Sequence, residues 1–189
     1  MVRGCTFPAK QRLNELQKYN VNYHFASHAP INMKTLILEG IYMTTTISLR
    51  LCNHHLRNII IVSHDPDVVK NIKHRYKTAK VENAECVDVI SSSEYNYGSM
   101  WLDCMNTMRT QYNLFMLPFK LKKLSDHSYV GFTYSLRGCS RKETNKLLKS
   151  FEYEVLKYGY TITHDITMKN NENKRGNQMY TTFYNVRVA

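Results

Sequence analysis

The chain has 189 residues, of which 43% are hydrophobic and 22% are charged, and this composition is typical of a globular protein with a buried core. No stretch approaches the roughly 20 apolar residues of a membrane-spanning helix, which excludes a helical membrane protein and predicts no membrane partner. The formal net charge of +11 favours polyanionic partners, namely nucleic acid or an acidic protein.

The cysteines and the N-terminus predict an intracellular protein, in the cytoplasm or nucleus. The five cysteines are widely spaced and form no C-x-x-C pair, which is typical of reduced thiols. The N-terminal residues MVRGCTFPAKQRLNEL contain no apolar core of a signal peptide. We expect a single compact domain over residues 1–189, with a subdivision into an N-terminal α/β part at 1–118 and a β-α-β-β module at 119–189 as the alternative.

The first elements predicted along the chain are a helix and a long strand. Thr6 and Pro8 suit the start of a helix over residues 6–19, and the stretch VNYHFASHAPINM after it is predicted to be a loop. From Ile41 to Leu51 apolar residues alternate with polar ones. This period of two predicts a half-buried strand.

The middle of the chain predicts a strand–helix–strand unit followed by a helix. Residues 59–62 form a short apolar strand, and the pair Asp65–Pro66 is a typical helix start. Residues 86–90 are predicted to be the next strand, parallel to the first. Large apolar residues recur at spacings of three and four over 99–116, which predicts an amphipathic helix that ends at Pro118.

The last third predicts a β-α-β-β module. The stretch SYVGFTYSL predicts a strand, Ser140 and Glu143 predict a capping box at a helix start, and Gly159 predicts its end. Two strands follow, over 160–167 and 179–188. The predicted fold class is therefore α+β, with a mainly antiparallel sheet and helices packed on it. A similar element order in the middle of the chain leaves a diverged structural duplication as an open alternative.

Cations cluster in the same module. The stretch MKNNENKRGNQMY between the last two strands is a polar, basic hairpin tip, and the preceding helix starts with several basic residues. Together they predict a surface that contacts the phosphates of nucleic acid, and a solvated polar surface is the alternative. The predicted nucleic-acid-binding residues are Arg137, Arg141, Lys142, Lys146, Lys149, Lys169, Lys174 and Arg175.

Three histidines are the candidate catalytic residues. His24 and His28 lie four residues apart, and His164 precedes the basic hairpin. A histidine pair can act as general acid and base in phosphodiester cleavage without a metal. The sequence contains no phosphate-binding loop, dinucleotide-binding glycine pattern or metalloprotease motif, so we expect no cofactor and no metal.

These observations give three hypotheses for function. The first is a nucleic-acid-binding protein, not an enzyme, that contacts phosphates through the C-terminal hairpin and helix. The second is a metal-independent phosphodiesterase or nuclease that uses the histidines. The third is a viral-type interaction module that binds an acidic host protein.

Overall fold

The structure is a computed structural model that describes residues 9–40, 42–137, 139–172 and 178–189. Within these residues the helices and strands alternate for most of the chain. The helices are α1 (Ala9–His28), α2 (Thr44–Leu51), α3 (Pro66–Arg75), α4 (Cys86–Ser92), α5 (Met108–Lys120) and α6 (Arg141–Glu154). The strands are β1 (Lys34–Leu38), β2 (Ile59–Ser63), β3 (Lys80–Asn83), β4 (Tyr97–Thr107), β5 (Leu124–Ser135), β6 (Tyr160–Glu172) and β7 (Gln178–Val188).

The strands form one seven-stranded sheet in the order β3-β2-β1-β4-β5-β7-β6. The pairs β1–β2, β1–β4, β2–β3 and β4–β5 are parallel. The last strand, β7, lies between β5 and β6 and is antiparallel to both. Each parallel connection passes through a helix, because a chain that leaves one end of a strand must return to the other end before a parallel strand can follow.

The predicted fold class, an α+β fold with a mainly antiparallel sheet, is therefore wrong. Four of the six strand pairings are parallel, and the antiparallel pairings are confined to β7. The strand directions also give no support to the structural duplication that the element order leaves open as an alternative, because the first five strands are all parallel while the last two pair antiparallel. The architecture is a Rossmann-like α/β fold with a mixed sheet.

The predicted strand over residues 41–51 is wrong, because residues 44–51 form a helix and residue 41 lies outside the described residues. The chain completes β1 at Leu38, turns, and enters α2 at Thr44. Three of the four buried residues of α2 carry hydroxyl groups, so the alternation of apolar and polar residues does not identify its buried face. The four buried residues are Thr45, Thr46, Ser48 and Leu49. The backbone N–H of Thr46 donates to the Glu39 carboxylate at 2.8 Å, which provides an acceptor in the first turn of the helix.

Two further predictions in the middle of the chain are wrong. Residues 86–90 lie in helix α4, and the strand of this unit is the short, polar β3 at Lys80–Asn83. The predicted helix over 99–116 is divided between β4 and α5. A strand buried on both faces lacks alternation, so the apolar residues of β4 resemble those of a buried helix. Pro118 lies inside α5.

The elements of the C-terminal third are confirmed. Ser140 and Glu143 form the predicted capping box of α6, and Gly159 ends the following 3-10 turn with a φ of 81°. The strands β6 and β7 cover the two predicted segments. Residue 118, where the alternative subdivision was placed, lies inside α5.

Helices cover both faces of the sheet. Alternate residues of β1 enter different hydrophobic cores: Ile37 packs with Phe25 of α1 and Leu49 of α2, whereas Leu36 packs with the cluster that contains Phe151 of α6. Helices α1, α2 and α3 thus lie on one face and α4, α5 and α6 on the other. Among the described residues, no helix has the length and apolar character needed to cross a lipid bilayer.

Candidate active site at the carboxyl edge of the sheet

The carboxyl ends of β1 and β4 lie side by side at the centre of the sheet. From β1 the chain continues into α2 on one face, and from β4 it continues into α5 on the other. In open α/β sheets such a switch point opens a crevice beyond the strand ends, and ligands bind there. Polar residues at or just beyond the carboxyl ends of β1, β2, β3 and β4 are Glu39, Ser63, Asp65, Asn83, Asp103 and Asn106.

The turn after β1 is built around a partly buried carboxylate. Glu39 accepts hydrogen bonds from the backbone N–H and the hydroxyl of Thr46, both at 2.8 Å, and from the backbone N–H of Gly40 at 3.3 Å. Burial raises the pKa of Glu39 in spite of these bonds. A Cβ added to Gly40 would meet no atom within 4 Å, so the backbone of this turn faces open space. Met43 closes the turn with a φ of 52°.

The ends of β2 and β3 contribute a hydroxyl, a carboxylate and an amide. The Ser63 hydroxyl accepts from the backbone N–H of Asp65 at 3.3 Å. Asp65 caps α3, since its Oδ1 accepts from the backbone N–H groups of Asp67 at 2.9 Å and Val68 at 3.3 Å. Asn83 is exposed at the end of β3.

The end of β4 bulges out of the sheet. Asp103 pairs with Thr133 of β5 and Thr107 with Ser135, so β4 carries two more residues than β5 over this interval. Bulges of this kind re-aim side chains next to active sites. Asp103 is partly buried and Asn106 is exposed. Burial raises the pKa of the Cys104 thiol, which makes it a poor nucleophile at neutral pH.

Several of the predicted nucleic-acid-binding residues lie at this same edge. Arg137 follows β5, Arg141 and Lys142 start α6, and Lys169 lies near the end of β6; all four are exposed. A cavity of about 130 Å³ joins these elements and is lined by residues that include Tyr134, Arg141, Thr167 and Tyr180. Lys146 and Lys149 are exposed farther along α6, and Lys174 and Arg175 lie outside the described residues.

The predicted catalytic histidines separate into two groups. His24 and His28 lie next to each other at the end of α1, with ring centroids 4.2 Å apart. His164 is on the other face of the sheet, where its ring contacts Tyr184 and its Nε2 lies 3.0 Å from the Thr167 hydroxyl. One partner of His24 is Asp165, whose Oδ2 lies 3.1 Å from His24 Nε2. Sequence reasoning missed Asp165, although it directly follows His164.

The sequence itself has no match among protein-family models or curated proteins. Solved structures do match. TYW2 from Pyrococcus horikoshii, in complex with MeSAdo, superposes with a TM-score of 0.63 at 13% identity, over 100% of this chain and 67% of that chain. The N-methyltransferase NodS from Bradyrhizobium japonicum gives 0.62 at 8% identity, over 93% and 98%. The 23S rRNA methyltransferase ErmE gives 0.62 at 9% identity, over 90% and 68%.

This fold is that of S-adenosylmethionine-dependent methyltransferases. This chain covers between 49% and 98% of the length of the solved structures it matches; the lower value is for a Streptococcus mutans protein and the higher for NodS. At identities of 8 to 14% the likeness is one of fold.

The fold comparison corrects the functions predicted from the sequence. TYW2, NodS and ErmE share this fold, and the printed names of NodS and ErmE are those of methyltransferases; this contradicts the three predicted functions, namely a non-enzymatic phosphate-binding protein, a metal-independent phosphodiesterase and a viral-type interaction module. The physical reason is that charge and histidine spacing carry no information about strand order, and strand order is what creates the crevice at β1 and β4.

Proposed function

We propose that this protein transfers a methyl group from S-adenosylmethionine to a nucleic acid. One observation carries the proposal: the sheet order β3-β2-β1-β4-β5-β7-β6, with β7 antiparallel, is that of the methyltransferase fold and places the switch point, where ligands bind in such sheets, between β1 and β4. The proposal replaces the sequence-based expectation that no cofactor is bound.

The residues at the crevice fit the adenosine part of such a cofactor. Gly40 leaves open space over the turn after β1, where the protein backbone comes closest to the ligand in Rossmann-like folds. Ser63 and Asp65 offer oxygen acceptors for ribose hydroxyls at the end of β2, and Asn83 offers an amide for the adenine edge at the end of β3. Hydroxyl, carboxylate and amide groups at successive strand ends match the donors and acceptors of a nucleoside.

The turn after β1 departs from the usual glycine-rich pattern. Gly40 is followed by Ile41, Tyr42 and Met43, where further glycines usually allow the backbone to approach the ligand. The carboxylate of Glu39 also occupies the N–H of Thr46 at the start of α2. We therefore place the cofactor contacts on Gly40 and on the ends of β2 and β3, with the start of α2 held by Glu39.

The end of β4 supplies the groups that act on the methyl acceptor. S-adenosylmethionine would supply a transferable methyl group on a positively charged sulfur, with S-adenosylhomocysteine as the leaving group. Asp103 accepts a hydrogen bond from the acceptor N–H and then its proton, and Asn106 orients the acceptor base. Such positioning and proton transfer contribute about 10²–10⁴-fold to a rate.

A nucleic acid is the substrate class that the edge suits. Arg137, Arg141, Lys142 and Lys169 are exposed at the carboxyl edge near the ends of β5 and β6, and guanidinium and ammonium groups hold phosphates without selecting a sequence. The net charge of +11 adds a long-range attraction for a polyanion. ErmE, which shares the fold, is a 23S rRNA methyltransferase.

Incubation with S-adenosylmethionine that carries a tritiated methyl group tests the proposal. We expect acid-insoluble counts with total RNA or DNA and none with the protein alone. Asp103→Asn should lower the rate by about 10²-fold or more, while isothermal titration shows unchanged binding of S-adenosylhomocysteine. Glu94→Gln, an exposed change at the opposite edge of the sheet, is the matched control and should keep the full rate.

The two parts of the proposal fail in different ways. If titration detects no binding of S-adenosylhomocysteine, the cofactor assignment is overturned. If S-adenosylhomocysteine binds but neither RNA nor DNA accepts a methyl group, the proposed substrate class is overturned and the cofactor assignment stands.

A further inference from the structure

A cluster of metal-ligating side chains lies between α1 and the sheet, away from the carboxyl edge. His24 Nε2 is 3.1 Å from Asp165 Oδ2 and 2.9 Å from the Tyr129 hydroxyl, and this hydroxyl is 2.6 Å from Asp165 Oδ2. One ligand atom each from His24, His28 and Asp165 lies within 4.8 Å of the others. Three ligating groups from two separate elements therefore converge on one point.

Local backbone geometry brings these side chains together. His24 and His28 are four residues apart on α1, so they lie on the same face of the helix. In β6, His164 pairs with Tyr184 and Ile166 with Phe183, which leaves Asp165 as an extra residue in a β-bulge. The bulge turns Asp165 toward α1, whereas its neighbour His164 contacts the other face of the sheet.

The ring orientation of His28 is fixed as in a metal ligand. Its Nδ1 lies 2.8 Å from the backbone carbonyl of His24, so Nδ1–H donates to this oxygen and Nε2 keeps its lone pair. In metal-ligating histidines the N–H of the second ring nitrogen commonly donates a hydrogen bond to a backbone carbonyl in this way. The ring also stacks on Tyr129, with centroids 5.5 Å apart and planes 25° apart.

The Asp165 carboxylate is held in place by hydrogen bonds on the side that faces α1. Its Oδ2 accepts from the Tyr129 hydroxyl at 2.6 Å and lies 3.1 Å from His24 Nε2. These contacts fix the carboxylate oxygen beside the histidine nitrogen with which it would share a metal ion.

We propose that His24, His28 and Asp165 bind a zinc ion, with the Tyr129 hydroxyl next to the fourth coordination position. Ligand atoms of a tetrahedral zinc lie about 3.4 Å apart when the bonds are about 2.1 Å long, close to the separation of His24 and Asp165. Two imidazole nitrogens and one carboxylate oxygen favour zinc over magnesium or calcium, which prefer all-oxygen sites.

The zinc site is distinct from the proposed methyl-transfer site. Tyr129 lies six residues before the end of β5, which places it about 20 Å from the carboxyl edge. The ion would join the C-terminal end of α1 to β6, two elements that are 141 residues apart at the His24–Asp165 contact. Its predicted role is to hold α1 on the sheet.

Metal titration of the full chain tests this site. After dialysis against EDTA, we expect one equivalent of Zn²⁺ to bind in isothermal titration, and Co²⁺ to give the strong visible absorption bands of a tetrahedral site. His28→Gln and Asp165→Asn should each weaken binding by about 10–100-fold or more. His28 is exposed, so its replacement leaves the core intact, and circular dichroism verifies this.

His164→Gln is the matched control, because His164 is adjacent to Asp165 in sequence but contacts the other face of the sheet. It should bind zinc as the unmodified chain does. The proposal would be overturned if His164→Gln lost zinc binding to the same extent as the ligand variants. It would also be overturned if His28→Gln and Asp165→Asn both still bound one equivalent of zinc. The absence of saturable binding would do the same and leave a hydrogen-bonded His–Asp–Tyr network. Neither readout depends on methyl transfer.

Discussion

Gly131 shows how a single residue sets the packing at the centre of the sheet. It pairs with Trp101 of β4 on one side and with Phe183 of β7 on the other, and both rings are buried. A Cβ at this position would lie 2.5 Å from Phe183 Cε1 and 3.4 Å from Trp101 Cδ1. The missing side chain of Gly131 therefore provides the space that the Phe183 ring fills.

We expect Gly131→Ala to lower the free energy of unfolding by about 1–3 kcal/mol, because the added methyl group overpacks a full core. Urea denaturation followed by circular dichroism measures the change. Gly40→Ala is the control: its Cβ would meet no atom within 4 Å, so stability should stay within about 0.5 kcal/mol. Equal stability of the two variants would contradict the packing around Gly131.

At the scale of elements, capping residues determine where the helices begin. The Ser140 hydroxyl accepts from the backbone N–H of Glu143 at 3.2 Å, and the Glu143 carboxylate accepts from the backbone N–H of Ser140 at 2.8 Å. Removing the hydroxyl leaves a backbone donor of α6 without its partner. This start also positions Arg141 and Lys142 at the carboxyl edge of the sheet.

Ser140→Ala should destabilise the protein by about 1 kcal/mol and lower Tm by about 2–4 °C. Ser150→Ala is a matched change on the exposed surface of the same helix, where alanine is the better helix former, and Tm should not fall. Thermal unfolding followed by circular dichroism compares the two. A similar Tm for both variants would show that the capping box contributes nothing to stability.

The sequence predicted those elements whose ends carry specific signals. Asp65 and Ser140 mark the starts of α3 and α6, and both caps are present. The interior of β4 could not be predicted, because a strand buried on both faces has no alternation to distinguish it from a helix. The start of α2 was missed because the acceptor for Thr46 is Glu39, which precedes the helix by several residues.

The candidate sites were predictable to different degrees. The nearness of His24 and His28 follows from helical spacing, and the cations of α6 and β6 share an edge as their sequence positions suggest. Asp103 and Gly40 could not be identified as candidate site residues from the sequence, because they share an edge of the sheet only when β1 lies beside β4. The contact of His24 with Asp165 also depends on the complete strand order, because no local pattern links residues 141 positions apart.

At the scale of the whole molecule, the excess of positive charge bears on the proposed nucleic-acid substrate. Arg137, Arg141, Lys142 and Lys169 lie at the carboxyl edge of the sheet, near the ends of β5 and β6, so the proposed phosphate contacts are on the same edge as the proposed methyl-transfer site. If the substrate is a nucleic acid, its binding releases counterions and weakens steeply with salt. Binding of S-adenosylhomocysteine, a small ligand without phosphates, has no such dependence.

Raising KCl from 50 to 200 mM should therefore lower kcat/KM for the nucleic acid by about tenfold or more, with the Kd of S-adenosylhomocysteine nearly unchanged. The double replacement of Arg141 and Lys142 by Gln should reduce the slope of log kcat/KM against log salt by about two. An equal loss of charge at Lys70 and Lys73, exposed on α3, is the control. Identical slopes for the two double variants would argue against phosphate contacts at α6.

The position of β7 has a consequence for synthesis on the ribosome. Among the seven strands of this sheet β7 comes last along the chain, yet it lies inside the sheet and separates β6 from β5. Until residues 178–188 have emerged, β6 has no neighbour with which to pair, and one side of β5 is an open edge that other chains can join. The residues that pair in the first four strands are all synthesised before β5, so the nascent sheet stays unfinished until β7 is inserted.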